Sequence, residues 1–246
     1  MIAAETKINE FVSRLRAAGG ANLKSVILYG SAAKGDHVPD ISDTNLVCVL
    51  METSFAELQK LAPAVEWWTS EKQKVPLLIG ADELQRSSDV FSIELLDMQQ
   101  SYRVLWGDDV LGTLIIPTSF HRVQLEYELR EKTILLRQGM MISGGNVERM
   151  WDLMLRSLPA FATLFRHALL ELGEPVAGSK QEAIERLATR VGLDPRAFLD
   201  LLKVRAHESD PKAIDVKDLF ARYLKEVEQV TAAVDRMLDS PKPGKA

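Results

Sequence analysis

The stretch LYGSAAKGDHVPDISDTNLVCVL, residues 28–50, gathers groups whose types and spacing suit phosphate and cation chemistry. Gly30 ends an apolar run and has no side chain to hold a ligand away, and Ser31 can offer a hydroxyl and an amide to a phosphate at a helix N-terminus. Asp43 and Asn45 stand two apart at the start of a second apolar run. As strand residues they share one face and can hold one cation between them. Farther along, in FSIELLDM, Glu94 sits between Ile93 and Leu95, where a carboxylate is costly unless paired or bound to a metal. Each piece has a plainer reading: a turn for Gly-Ser, a cap for Asp43, a solvent-facing position for Glu94. Their order together is what points to chemistry.

Such groups need elements to position them, and the texture of the chain changes near Pro117. Before it, the spacing predicts a helix over Ala4–Ala18 that ends at Gly19-Gly20, and another over Phe55–Trp67. Strand-like runs fall at Lys24–Tyr29, Asn45–Met51, Val75–Ile79 and Phe91–Leu96, an alternation that argues α/β or α+β. After Pro117 the β signals stop, and apolar residues recur at three and four. Five helices are predicted, near 118–142, 145–172, 179–192, 195–207 and 215–238. Ser179 with Glu182 forms a capping box, Asp194-Pro195 gives an N-cap and a proline at the first helical position, and Asp215 can cap the last helix. Pro159 should kink or split the second helix. The expected organisation is therefore an α/β domain over 1–116, a helical bundle over 117–239 and a disordered tail over 240–246.

Composition narrows the function. With 246 residues, 46% of them hydrophobic and a net charge of −5, the chain has the makeup of a globular protein without the basic face that polynucleotide binding requires. Residues 1–116 carry 10 Lys/Arg against 16 Asp/Glu, which suits a cation-dependent site, although a solvated acidic surface accounts for it almost as well. The single cysteine, Cys48, lies inside an apolar run and reads as a core residue. One thiol allows no intrachain disulfide, which together with the lack of a signal layout or a spanning apolar run points to the cytoplasm and away from the membrane. Trp67-Trp68 and Trp106 read as packing, and Arg156, Arg166 and Arg205 as solvated helix faces.

Taken with their spacing, LYGSAAKG, SDTNLVCVL and FSIELLD resemble the DNA polymerase beta-like nucleotidyltransferase superfamily, which includes minimal and aminoglycoside nucleotidyltransferases. The resemblance covers about residues 20–110. It implies an α+β fold, with a small mixed sheet and helices on one face. It also implies Mg2+ (or Mn2+) as cofactor, a nucleoside triphosphate as substrate, and transfer of a nucleoside monophosphate to a hydroxyl acceptor. On that basis Gly30 and Ser31 would hold the triphosphate, with Lys34 within reach of a phosphate; Asp43 would bind both metal ions, and Glu94 the catalytic one. Asn45 departs from the pattern, which has an acid there. An amide oxygen still ligates a hard cation but brings no charge. One missing unit charge about 4 Å away is worth roughly 4 kcal/mol at an effective dielectric of about 20. At about 1.4 kcal/mol per decade, that is up to about a thousandfold in metal affinity. Asp40 and Asp97 are nearby acids. Asp40 precedes the strand, however, and in a straight strand Asp97 would face away from Glu94.

Three functions fit these residues: an active nucleotidyltransferase on a small molecule or protein, a nucleotide-holding sensor without turnover, and an antitoxin-like interaction protein of the same fold. None of His121, His167 and His207 has an arginine four to six residues ahead of it, so the helical half lacks the signature of the HEPN ribonucleases that pair with minimal nucleotidyltransferases.

Overall fold

The computed structural model describes residues 2–34 and 44–237, so the predicted tail over 240–246 lies outside the described residues. The chain divides into two compact units, Met1–Thr118 and Ser119–Ala246.

In the first unit, helix α1 (Ile2–Gly19) leads into strand β1 (Leu23–Tyr29), the short helix α2 (Ser31–Lys34) and strand β2 (Asn45–Leu50). Helix α3 (Phe55–Ser70), strand β3 (Leu77–Gly80), helices α4 (Ala81–Arg86) and α5 (Ser92–Gln100), and strand β4 (Tyr102–Gly107) follow. Among the described residues these strands form one mixed sheet in the order β3-β2-β1-β4, with β1 antiparallel to both β2 and β4, and β2 parallel to β3. The two central strands carry apolar runs, Val26–Leu28 and Leu46–Leu50, because both of their faces are covered. Val26, Leu28, Leu46, Cys48 and Leu50 pack under Phe11 and Leu15 of α1 and under Leu61 and Trp68 of α3. The alternate residues Ile27, Val47 and Val49 pack on the other face against Leu84 of α4, Leu95 and Met98 of α5, and Leu111 and Leu114. The helices implied on one face thus cover both. Trp68 stacks on Phe11 with ring centroids 4.6 Å apart, and Trp106 packs against the same cluster, so both are packing residues as their sequence contexts indicate.

Phe91–Leu96 is not a strand. Its residues open α5, and the missing strand of the sheet is Tyr102–Gly107. The apolar-acid-apolar alternation of Ile93, Glu94 and Leu95 imitates a strand, but Glu, Leu, Met and Gln are strong helix formers. The β-branched and aromatic residues that favour strands come afterwards, in YRVLWG. The third predicted strand likewise begins two residues late, at Leu77, and Val75 is exposed.

In the second unit the helices are α6 (His121–Ser143), α7 (Val147–Glu171), α8 (Lys180–Val191), α9 (Arg196–Arg205) and α10 (Val216–Arg236). Their starts follow the capping residues: Ser179 accepts from the Glu182 N–H, and Asp215 from the N–H groups of Lys217 and Asp218. Asp194 accepts from the Arg196 N–H, while Pro195 stands one residue ahead of the helix instead of opening it. Helix α7 packs against α6, α8, α9 and α10, and from Phe161 to Leu169 nearly every residue is buried. Arg166 belongs to that stretch, so it is a buried side chain and not the solvated one expected.

Pro159 neither splits α7 nor ends it. A proline inside a helix cannot donate to the carbonyl four residues back, here that of Leu155. Arg205 of α9 donates to that carbonyl from its guanidinium at 3.0 Å, so the acceptor Pro159 leaves open is filled from a neighbouring helix.

Two buried ionisable groups give this unit its pH dependence. Glu226 of α10 accepts the Ala197 N–H at the start of α9, and burial pushes its carboxyl from 4.5 up to about 8. His167 of α7 meets His121 of α6 at 2.8 Å, and His121 in turn meets Glu171 at 2.6 Å. Burial first, then the neighbouring His121 and Arg166, hold His167 down from 6.5 to about 3.

Two predictions follow from these contacts. Arg205→Met should lower stability by about 1.5–3 kcal/mol, the range for losing a charged hydrogen bond to a buried carbonyl. In a Pro159→Ala background, where residue 159 regains its N–H, the same change should cost much less; urea denaturation of the four chains measures the coupling. The pH profile should be a plateau. Below 6.5 the unfolded chain takes up a proton at His167 that the fold refuses until about 3, so stability is lost as pH falls. The stability tied to protonated Glu226 is complete below 4.5 and is lost as pH rises through about 8. Between 4.5 and 6.5 the two slopes cancel, and about 2 kcal/mol should be lost on either side, by pH 3 and by pH 8. Urea melts across pH check this, and Glu226→Gln should flatten the alkaline side and leave stability rising with pH between 4.5 and 6.5, where the His167 slope is no longer offset.

Candidate functional site

The apolar run of β1 ends at Tyr29, and the chain turns at Gly30 with φ of +77°, a left-handed conformation that side-chain-bearing residues adopt at a cost. Two hydrogen bonds fix the turn to the end of α5. The Gly30 N–H donates to the Ser101 carbonyl at 2.9 Å, and the Ser101 hydroxyl donates to the Gly30 carbonyl at 3.1 Å. Ser31 opens α2 and Lys34 closes it, so the expected helix N-terminus is a single turn.

Asn45 begins β2 directly opposite Tyr29. Directly paired residues of antiparallel strands share a face, and by alternation this is the face of Ile27, Val47 and Val49 that α5 covers. Asn45 also faces the turn: a Cβ built on Gly30 would lie 3.5 Å from the Asn45 amide nitrogen. Gly30 and Asn45, paired by spacing in the sequence, are thus adjacent in the fold. Asp43 lies outside the described residues.

Glu94 is on α5 and exposed, not enclosed in an apolar strand. The change from strand to helix also reverses the argument about Asp97. Three residues apart on a helix, Glu94 and Asp97 lie on the same side. Asp97 is half-buried, and its charge acts on Tyr29: burial first, then Asp97, raise the Tyr29 phenol above its ordinary value. The sequence reading set Asp97 aside as facing away and did not single out Tyr29 or Ser101. The signal that would have brought them in was the helix propensity of SIELLDMQQ, since only helical spacing groups 94, 97 and 101 together.

The donors available here are carboxylate and amide oxygens, the chemistry that suits a hard divalent cation. Among the described residues no three His, Cys, Asp or Glu side chains gather into a metal cluster. Cys48 is fully buried, and burial pushes its thiol up to about 12, so it is a core residue and not a nucleophile. No helix of the described residues is long and apolar enough to cross a membrane.

Residues 6–96 match the family described as Nucleotidyltransferase domain. No curated protein matches the chain in sequence. Among solved structures, the spectinomycin adenyltransferase AAD(9) from Enterococcus faecialis, crystallised with ATP and spectinomycin, matches with a TM-score of 0.54 at 15% identity, covering 96% of this chain and 99% of its own. A toxin-antitoxin structure with AMP-PNP matches 41% of this chain and 74% of its own, at 16% identity and a TM-score of 0.29. The first likeness shows a shared fold, an α+β sheet domain followed by helices.

Gly30→Ala should destabilise the chain by about 1–2 kcal/mol, the cost of a left-handed residue with a Cβ. The space at Gly30 is ordinary contact distance, so the cost lies in the backbone, and Gly30→Asn should lose less because Asn tolerates that conformation. Urea midpoints of the two variants against the parent chain measure the difference.

Proposed function

Taking the N-terminal unit as a nucleotidyltransferase domain of the DNA polymerase beta-like superfamily, we propose that it holds a nucleoside triphosphate with Mg2+ or Mn2+ at the Gly30–Ser31 turn. It then moves the nucleoside monophosphate to a hydroxyl of a small molecule or protein. The observation that carries this reading is the Gly30 turn itself: a left-handed glycine, clamped by Ser101 and faced by the Asn45 amide, at the end of a central strand. Backbone at such a turn approaches a phosphate without a side chain between them.

In this reading Gly30 and Ser31 receive the triphosphate and Lys34 supplies a positive charge toward it. Asp43 and the Asn45 amide oxygen are cation ligands, and α5 supplies the further acid, a role the sequence resemblance gives to Glu94. The acceptor hydroxyl attacks the α-phosphorus, the bond to the leaving pyrophosphate breaks, and the hydroxyl proton passes to a carboxylate. The cation, when bound, offsets the charge that builds on the phosphates. AAD(9), crystallised with ATP and spectinomycin, supports a nucleotide and a hydroxyl-bearing small molecule as the pair to test first. The acidic balance of residues 1–116 weighs against a polynucleotide acceptor.

Asn45 favours a second reading, in which nucleotide is held without turnover. The expected outcome for the first reading is Mg2+-dependent binding of ATP or GTP, and transfer of label from an α-labelled nucleotide to acceptor by the full chain. Asn45→Asp should raise that transfer by about tenfold to a thousandfold, the span of one added charge at a metal. Binding without transfer in the parent chain, with transfer gained by Asn45→Asp, would establish the second reading. Absence of nucleotide binding in both chains would overturn the two together.

A further inference from the structure

Resting on the reading of the Gly30 turn as a nucleotide and cation site, we propose that Asp97, and not Glu94, is the carboxylate by which α5 completes the cation site beside Asn45. The placement comes from three independent connections. Ser101, the C-cap residue of α5, is bonded in both directions to Gly30, and Asp97 lies four residues before it in the last turn of that helix. At about 1.5 Å per residue, that puts Asp97 roughly 6 Å along the axis from the clamped turn, and Glu94 roughly 10 Å. Tyr29, next to Gly30 and opposite Asn45, is within electrostatic reach of Asp97. The side chains of Tyr29 and Asn45 share the sheet face onto which α5 packs through Leu95 and Met98.

The strand on the other side of β2 brings no acid to this end of the sheet. β3 runs parallel to β2 with Leu77 level with Val47, so Val75 precedes Leu77 by the same two residues by which Asn45 precedes Val47. Around it stand Gln73, Lys74 and Pro76. Among the described residues, the element tied to the turn that carries acids is α5. Of its two candidates, Glu94 is exposed, whereas Asp97 is half-buried and its charge acts on Tyr29 beside the turn. Asp97 supplies the charge and an oxygen donor; Asn45 supplies a neutral oxygen donor from the facing strand. An ion between them has the all-oxygen surroundings that Mg2+ and Mn2+ require.

The test uses the full chain, a non-hydrolysable ATP or GTP analogue and Mn2+, with bound Mn2+ read from the loss of the free-ion electron paramagnetic resonance signal. Asp97→Asn should weaken Mn2+ binding at least tenfold, and Glu94→Gln should weaken it by less. Asn45→Asp placed in the Asp97→Asn chain should recover most of the loss, because it returns the charge from the opposite side of the ion. That recovery separates ligand loss from damage to the fold, as would an unchanged urea midpoint for Asp97→Asn. Weakening by Glu94→Gln with no effect of Asp97→Asn overturns the proposal while leaving the nucleotide site standing. Absence of both analogue and Mn2+ binding in the parent chain overturns the nucleotide-site reading, and this proposal with it.

Discussion

The register of β1 against β2, which sets Tyr29 opposite Asn45, is the constraint from which the N-terminal unit is built. Both faces of this strand pair are buried, so a slip of one residue would turn Val26 and Leu28 toward α5 and Ile27 toward α1. Two separate layers of packing thus resist the same movement. The groups proposed to do chemistry sit at the end of that locked pair, where β1 runs out into Gly30 and β2 begins. Their spacing is inherited from the core, and the two hydrogen bonds of Ser101, with that from the Ala33 N–H to the Gly30 carbonyl, hold the turn.

Much of this was legible in the sequence, and what was hidden has a common cause. Gly30 and Asn45 could be paired because a turn glycine and a strand entry keep their meaning whatever surrounds them. The helical unit could be counted because caps such as Ser179 and Asp215 act within one turn of chain. Phe91–Leu96 misled because a short apolar run carries both periods, and deciding between them depends on what packs against it. The error then moved to the site: a strand sends Asp97 away from Glu94, whereas a helix sets the two side by side. β4 was overlooked because its residues are only partly buried, so its apolar alternation is weak. Pro159 was misjudged because its remedy, Arg205, lies 46 positions away in the chain and on another helix.

The two units differ in how they accommodate polar groups. Among the described residues of the sheet unit, Cys48 is the one buried ionisable side chain, and the buried polar residues are the hydroxyl-bearing Ser25, Thr44, Ser88 and Ser92. The helical unit encloses His121, His167, Arg166 and Glu226. Enclosed groups of this kind stabilise little by themselves, but they penalise alternative packings that leave them without their neighbours. For helices that otherwise meet through interchangeable leucines and phenylalanines, such penalties select one arrangement.

Cys48 gives the sheet unit a further property. It lies at the centre of β2 with no exposed surface, and its thiol is held well above the range in which thiolate forms. The folded chain is therefore silent toward thiol-specific reagents, since the sequence contains no other thiol. A reagent can reach Cys48 only when β2 parts from the helices above it. The speed at which that one sulfur reacts is consequently a clock for the opening of the N-terminal core.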